Sequence, residues 1–339
     1  MTISFMPFYD KKNKYSGIIK NILKEIDGVK ITPFDIVNLF KGSKDVWNAD
    51  TVWLNWYDNY YGIINSLFKV LALIILKLIN IEIIFVMHNK RPHNRAGLGS
   101  VILSQSIFYL ADKIIIHCKI SEEYIKEKYR KKTFYIPHPN YIGEYGDILP
   151  TSNKDDYKLK ILFFGAVKPY KNIELLIEII NKIDEVELTI AGYAPDSEYE
   201  NYLRSLVKTD RIKLQIRFID NSEINHLLSI CDLVVLPYNT ESSLNSGTVL
   251  LAFSYAKTVI CPSIGTTSDM KSKFFLSYSY KDKIDHKIKL KNKIKEAILI
   301  KRQNSDLIQD WGKSMYNEVK EFNSQETIKA MIKNSVLNL

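Results

Sequence analysis

The 339-residue sequence has few of the residues that build metal, redox or disulfide sites. Its three cysteines, Cys118, Cys231 and Cys261, lie in separate apolar runs, and none has a second cysteine at metal-site or redox-motif spacing. No Asp-x-Asp pattern follows a predicted strand. We therefore interpret the cysteines as reduced core thiols of a cytoplasmic protein, and we expect neither a metal ion nor a cofactor.

Long apolar runs are also missing. The most lipid-like segment, Gly62–Val86, is interrupted by Lys69 and Lys77, so its longest uncharged apolar stretch is well below the roughly 18 residues that span a bilayer. No secretory signal is expected, because the first residues lack a basic region followed by an apolar core. The segment predicts a helix and then a strand. The helix is either buried, which we favour, or rests an apolar face on a membrane surface with its lysines snorkelling.

What the sequence has in excess is positive charge, with 47 basic and 38 acidic side chains and a net charge of +9. This balance favours a phosphate-bearing or membrane-surface partner. The excess is concentrated in KEKYRKK at 126–132 and in the lysines from Lys281 to Lys295. Such runs are usually solvated helix faces. No basic module with interleaved aromatics is present, which argues against a nucleic-acid partner.

Strand and helix patterns alternate along most of the chain, which predicts an α/β fold of two doubly wound parallel-sheet domains. A polar stretch at 143–158 reads as the linker. We therefore expect a first domain over 1–150, a second domain over 151–315, and a C-terminal helix over 316–339 that packs back on the first domain.

The first half carries its candidate chemistry where the apolar strand pattern Ile81–Met87 runs into HNKRPHNR. His88 and His93 are candidates for proton transfer near neutral pH, and the neighbouring basic side chains could hold phosphate. An earlier strand end at Asn55 is followed by aromatic residues. These either stack against a sugar or pack in the core, and packing is the commoner outcome.

The second half has its clearest signal between Ser229 and Gly265, which reads as strand, small-residue loop, helix and strand. Loops at the carboxyl ends of strands are where open α/β sheets bind ligands. Ser246 and Gly247 lie where backbone N–H groups and a helix N-terminus could face a phosphate. An ordinary strand–helix–strand unit with a polar loop would look the same.

Four motifs of the second half resemble, in their order and spacing, those of glycosyltransferase family four. They are FFGAVKPYKNIELLIEII at 163–180, LTIAGYAP at 188–195, CDLVVLPY at 231–238 and SGTVLLAFSYAKTVICPSIG at 246–265. In the first half FVMHNKRPHN, ADKIIIHCKISEEYI and YIPHPNY add to the resemblance. It implies the GT-B fold, two facing Rossmann-like domains with a cleft between them. These motifs resemble those of a subgroup whose members build bacterial surface polysaccharides.

The resemblance also implies roles for particular residues. Gly165 would let the backbone approach the donor diphosphate, while Lys168 and Lys171 would neutralise it. The loop Ser243–Gly247 would lie beside sugar and diphosphate, with Thr248 in the helix whose dipole faces them. His88 matches a histidine near the transferred sugar. The full candidate set is His88 and His93 as catalytic residues, and Gly165, Lys168, Lys171, Tyr238, Glu241, Ser243, Ser246, Gly247 and Thr248 as nucleotide-sugar contacts.

The sequence departs from the family pattern at the first turn and at two glutamates. An arginine is replaced by Ala166 and a glycine by Asn172. The glutamates eight positions apart fall on Ser243 and Leu251, and Leu251 cannot hold a ribose. Glu241 would restore the first glutamate if the loop carries an insertion.

The function implied is metal-independent transfer of a hexose from a nucleotide sugar to a glycan, with a lipid-diphosphate-linked acceptor at the inner membrane face and retention of configuration favoured. The product would belong to capsule, exopolysaccharide or O-antigen synthesis. Two alternatives stay open: a GT-B sugar-nucleotide epimerase, which would need no acceptor, and a catalytically silent partner subunit, consistent with the missing glutamates.

Overall fold

A computed structural model describes residues 1–9, 13–90, 97–150 and 157–339. Backbone contacts divide the chain into two units. The first unit comprises Met1–Pro139 together with Asn323–Leu339, and the second comprises Asn140–Phe322. Among the described residues, no helix has both the length and the apolar content needed to cross a membrane.

The first unit is built on a parallel sheet with six strands in the described residues. The strands are β1 (Thr2–Met6), β2 (Lys30–Pro33), β3 (Thr51–Asn55), β4 (Glu82–Met87), β5 (Lys113–Ile116) and β6 (Thr133–Tyr135). Their order is β2-β1-β3-β4-β5-β6, so the order reverses between β1 and β3. The strands β3 and β4 are buried over nearly their whole length, as expected for a parallel sheet covered on both faces.

The helices of the first unit connect these strands and close the chain. They are α1 (Lys14–Lys24), α2 (Ile36–Phe40), α3 (Lys44–Trp47), α4 (Ile63–Leu78), α5 (Leu98–Leu110) and α6 (Glu127–Arg130), with α14 (Gln325–Met331) from the end of the chain. A 3-10 helix lies at Lys119–Tyr124 and a π-helix at Ile332–Leu337.

The second unit has its own parallel sheet, again with six strands in the described residues. The strands are β7 (Leu159–Phe164), β8 (Val186–Ala191), β9 (Ile212–Gln215), β10 (Leu233–Val235), β11 (Thr258–Pro262) and β12 (Leu276–Tyr278). Their order is β12-β11-β10-β7-β8-β9, so the order reverses between β7 and β10. The helices are α7 (Ile173–Ile180), α8 (Ser197–Leu206), α9 (Asn221–Ser229), α10 (Gly247–Ser254), α11 (Gly265–Asp269), α12 (Lys283–Gln303) and α13 (Leu307–Phe322).

The first boundary between the units falls at Pro139, before the expected residue 150, because the segment that follows is tied to the second unit. The Tyr141 N–H donates to Ser254 Oγ at 2.8 Å, and the Tyr145 N–H donates to Tyr255 Oη at 2.7 Å. The expected linker therefore begins inside this unit.

The end of the chain is also divided differently from the expectation of one helix over 316–339. The helix α13 belongs to the second unit, and Asn323–Leu339 belongs to the first. Within the first unit, α14 packs on α1, and Lys113 Nζ donates to the Val336 carbonyl at 2.6 Å.

Candidate functional site

The candidate site of the second unit lies at the carboxyl ends of β7 and β10, where the strand order reverses. Two hydrogen bonds join the loops that follow these strands. The Asn172 side-chain amide donates to the Pro237 carbonyl at 3.0 Å, and the Asn239 N–H donates to the Tyr170 carbonyl at 3.1 Å. Open α/β sheets bind ligands in the crevice at such a reversal point. The loops are therefore held together at the edge of the sheet that the fold makes available for a ligand.

Lys171 is the charged group of this site. Its half-buried ammonium lies 3.8 Å from the centre of the Tyr238 ring and 5.1 Å from the centre of the Tyr170 ring. Burial, with a smaller contribution from the nearby Lys168, lowers the pKa of Lys171 to about 7. No carboxylate among the described residues offsets this loss. An ammonium that lacks a counter-ion in a partly desolvated position is suited to an anionic ligand.

The N-terminus of α10 completes the site. Ser246 caps the helix, since its Oγ accepts the Val249 N–H at 3.2 Å, and its own N–H donates to Thr266 Oγ1 at 2.9 Å. Tyr238 Oη lies 2.8 Å from Ser246 Oγ, so the ring under the Lys171 ammonium is fixed to the helix cap. Gly247 is the first residue of α10. Tyr238 thus contacts both the Lys171 ammonium and the cap of α10, where the positive end of the helix dipole lies.

Gly165 ends β7 in the left-handed region, with φ of +127°. A Cβ placed there would lie 3.4 Å from Thr248 Oγ1, so the first turn approaches the start of α10 closely. A Cβ on Gly192, at the end of β8, would lie only 1.9 Å from the Gly165 carbonyl oxygen. The two glycines therefore allow two backbone turns to pack directly against each other.

The remaining candidates of the second unit have different surroundings. Lys168 is half-buried in the same loop, Ser243 is buried with its N–H donated to the Asn239 carbonyl at 3.0 Å, and Glu241 is exposed to solvent. Leu251 is buried in the core within α10. Asn172 has φ of +51°, a left-handed conformation that asparagine tolerates, so the replacement of a glycine there is compatible with the turn.

The candidate site of the first unit is a cluster of three buried histidines around Tyr15. His88 follows β4, His117 follows β5 and His138 follows β6. The Tyr15 ring centre lies 4.9, 5.3 and 4.8 Å from the ring centres of His88, His117 and His138. The Trp56 ring stacks on the His88 ring with centres 4.2 Å apart.

Hydrogen bonds determine which histidine nitrogens are protonated. The Nδ1 atoms of His117 and His138 lie 2.8 and 2.9 Å from the carbonyls of Ile136 and Pro139, so each Nδ1 carries a proton and donates it. His117 Nε2 is then the acceptor for Tyr15 Oη, at 2.8 Å.

His88 is oriented by an asparagine at the other reversal point. The Asn55 amide donates to the Met6 carbonyl at 2.9 Å, bridging β3 and β1, and Asn55 Oδ1 lies 3.3 Å from His88 Nε2. Since Oδ1 can only accept, His88 Nε2 carries the proton.

All three histidines are held in the neutral form. Burial lowers the pKa of His88 well below its ordinary value, and the neighbouring His117 and His138 lower it further. Burial likewise lowers the pKa of His117 to about 4, and that of His138 to about 3. A neutral imidazole can orient a hydroxyl group by hydrogen bonding without carrying a charge.

Sequence reasoning selected His88 but gave no role to Tyr15, His117 or His138. The two histidines stood inside motifs quoted for the family resemblance, and a histidine after each of three successive strands was the available signal. His93 lies outside the described residues. Among the aromatic residues at and after the end of β3, Trp53 and Tyr57 are core residues, Trp56 stacks on the His88 ring, and Tyr61 is exposed. No group of His, Cys, Asp and Glu among the described residues is arranged to hold a metal ion.

Residues 147–311 match the family model of group 1 glycosyl transferases. A GDP-mannose:glycolipid 4-beta-D-mannosyltransferase from Xanthomonas campestris pv. campestris is 31% identical over 106 residues, which are 30% of this chain. The chain spans 30% of the length of that relative.

Solved structures match over a larger share of the chain. HepE from Anabaena in complex with UDP-glucose has a TM-score of 0.74 at 12% identity and covers the whole of both chains. Sucrose-phosphate synthase from Thermosynechococcus elongatus has a TM-score of 0.70 at 16% identity, covering 88% of this chain and 76% of that one. These matches confirm the predicted α/β class and the GT-B fold. The chain has that fold, and most of its second unit matches the group 1 glycosyl transferases.

Proposed function

We propose that this protein is a glycosyltransferase that moves a hexose from a nucleotide sugar to a glycan acceptor. The observation that carries the proposal is the Lys171 ammonium, which lacks a carboxylate partner among the described residues and is joined through Tyr238 to the capped start of α10. A nucleoside diphosphate supplies the negative charge that such a position favours. The family match over 147–311 and the UDP-glucose named for HepE support this choice.

In the proposed reaction the second unit stabilises the departing diphosphate. Lys171, Lys168 and the backbone N–H groups at the start of α10 neutralise charge as the glycosidic bond to phosphate breaks. We propose that no divalent cation is required, since no Asp-x-Asp pattern follows a strand. Transfer that continues in the presence of a chelator would agree with this, and transfer restored only by added Mg²⁺ or Mn²⁺ would refute it.

We propose that His88 acts as a hydrogen-bonding group to a sugar hydroxyl rather than as the general base. Its depressed pKa disfavours the imidazolium that a base must become. This role agrees with the retaining route that the family resemblance implies. The proton NMR coupling of the product's anomeric hydrogen measures the outcome directly, and an inverted configuration would require a different base.

We propose a lipid-diphosphate-linked saccharide as the acceptor, used at the inner face of the plasma membrane in capsule, exopolysaccharide or O-antigen synthesis. The support is the family resemblance and the glycolipid in the name of the Xanthomonas relative. The donor nucleotide is tested by thermal shift against UDP, GDP, CDP and ADP and their common sugars, because a ligand that binds only the native state raises its melting temperature.

The same assay separates the alternatives. One clear nucleotide response supports an active transferase and names the donor class. A folded protein that responds to none would favour a catalytically silent partner subunit. Conversion of the nucleotide sugar to an isomer without added acceptor would instead identify an epimerase.

A further inference from the structure

The helices α4 and α5 present an apolar surface to solvent that the proposed reaction does not use. Eight residues, called here the α4–α5 face, are all at least two-fifths exposed: Ile64, Leu67, Phe68, Leu71, Ile74, Leu98, Val101 and Ile102. The two helices pack against each other, so these side chains form one continuous area. The Phe40 ring extends the area and lies 6.0 Å from the Phe68 ring.

The exposed residues are not the face that holds α4 to its sheet. That face consists of Ala72, Leu73 and Leu76, which are fully buried. A helix that only covers a sheet has a polar outer face, whereas α4 is apolar on both sides. Contiguous exposed apolar area of this kind indicates an interaction surface.

The charge around the α4–α5 face selects the partner. Residues 63–110 contain a single acidic residue, Glu82. Glu82 is already paired with Lys113, with Nζ and Oε1 2.6 Å apart. Neither α4 nor α5 contains an acidic residue, so the face carries no negative charge of its own that an acidic surface would repel.

The basic run at 126–132 lies against the end of α5. Lys132 Nζ donates to the carbonyls of Tyr109 and Ala111 at 2.9 and 2.7 Å, and the rings of Phe108 and Tyr129 stack with centres 6.5 Å apart. These contacts place the exposed Lys128 and Lys131 near the C-terminal end of α5, the helix that carries Leu98, Val101 and Ile102 of the face. A basic cluster next to exposed leucine, isoleucine and phenylalanine is the composition of a surface that binds anionic lipid.

The two lysines within α4 do not extend towards a membrane surface, which was the alternative to a buried helix. Lys69 is buried and donates to the carbonyls of Tyr57 and Asn59 at 3.0 and 2.7 Å, and Lys77 pairs with Asp112 at 2.6 Å. Neither lysine snorkels. The expectation of a buried helix holds for the side with Ala72, Leu73 and Leu76 but not for the outer side of α4, which is exposed.

We infer that the α4–α5 face docks on an anionic lipid bilayer, with the side chains of α4 and α5 entering the headgroup region and Lys128 and Lys131 contacting acidic headgroups. This docking does not depend on the transfer reaction. A protein that binds vesicles but no nucleotide would therefore refute the proposed function alone, and the converse result would refute this inference alone.

The test is flotation of the full chain with vesicles of phosphatidylcholine, and of phosphatidylcholine with phosphatidylglycerol, at low and high salt. Wild type should bind the anionic vesicles, more weakly as salt rises. L67Q/F68Q should lower the partition constant by roughly tenfold or more, because less apolar area is buried. K128Q/K131Q should lower it by about fivefold per lysine on anionic vesicles only. The matched control I284Q/I288Q removes exposed apolar residues of α12 and should leave binding unchanged.

The variants change exposed side chains, so circular dichroism and melting temperature should match wild type. Equal binding by L67Q/F68Q and wild type would overturn the inference, as would wild type that floats with neither vesicle. A wild-type dimer in light scattering that L67Q/F68Q converts to monomer would also overturn it, by identifying a second copy as the occupant.

Discussion

Replacement of Lys171 by methionine should stabilise the ligand-free protein and weaken nucleotide binding at the same time. The pKa of Lys171 falls from 10.5 to about 7 on folding, so the folded chain binds this proton less tightly than the unfolded chain. As pH falls from 10.5 towards about 7, the folded state therefore loses stability, and below about 7 the penalty is constant. At neutral pH the native lysine thus costs the fold stability that methionine would restore.

The size of each effect follows from the surroundings of Lys171. The side chain is half-buried and solvent screens part of the penalty, so we expect a gain of about 1–2 kcal/mol in the free energy of unfolding. Each kcal/mol of this gain should raise the melting temperature by about 2–4 °C. Loss of a charged hydrogen bond to the diphosphate costs about 1.5–3 kcal/mol, or roughly 10- to 150-fold in Kd for the nucleotide.

The assay is thermal denaturation at pH 7 with and without UDP or GDP, followed by calorimetric titration of the nucleotide that stabilises wild type. The control is Lys182→Met, which removes an exposed lysine of the same unit and should change neither quantity. A Lys171→Met variant that melts below wild type, or that binds the nucleotide with unchanged affinity, would refute the assignment of Lys171 to the diphosphate.

Three further predictions concern the histidine cluster and the glycine turns. His88→Ala should lower turnover by roughly 100-fold or more with nucleotide affinity retained; near-normal turnover would remove His88 from the reaction. Because burial depresses the pKa of His117 and His138, the folded state binds fewer protons than the unfolded state. The free energy of unfolding should therefore fall as pH drops below about 6.5. A urea-denaturation series across this pH range that shows no such fall would contradict the buried neutral cluster. Gly192→Ala should destabilise the fold by about 2 kcal/mol more than Gly28→Ala, since both have positive φ but only the Cβ at Gly192 meets backbone; equal losses in denaturant midpoint would refute that contact.

Much of the architecture was predictable because most strands of these sheets are short apolar runs bounded by turn residues. The start of α10 was predictable for the same local reason: Ser246 and Gly247 follow a buried strand and precede an apolar helix, so a helix N-terminus was expected there. The position of the Gly165 turn beside Thr248 followed only from the family resemblance, since the two residues are far apart in the sequence.

The histidine cluster could not be predicted from local pattern. His88, His117 and His138 each follow a different strand, and Tyr15 lies in a helix that precedes all of them. Their meeting depends on the order of strands in the sheet, a long-range property that periodicity does not encode. The same limit applies to α4, because a mostly apolar helix pattern does not tell whether its second face meets protein or solvent.

Hydrogen–deuterium exchange with and without UDP or GDP tests most directly whether the second unit holds the diphosphate at the reversal point of its sheet. At a saturating concentration of the nucleotide that binds, amides at 165–172 and 238–249 should exchange more slowly, because ligand contacts reduce their local opening. Protection confined to other segments, with these two unchanged, would contradict the account.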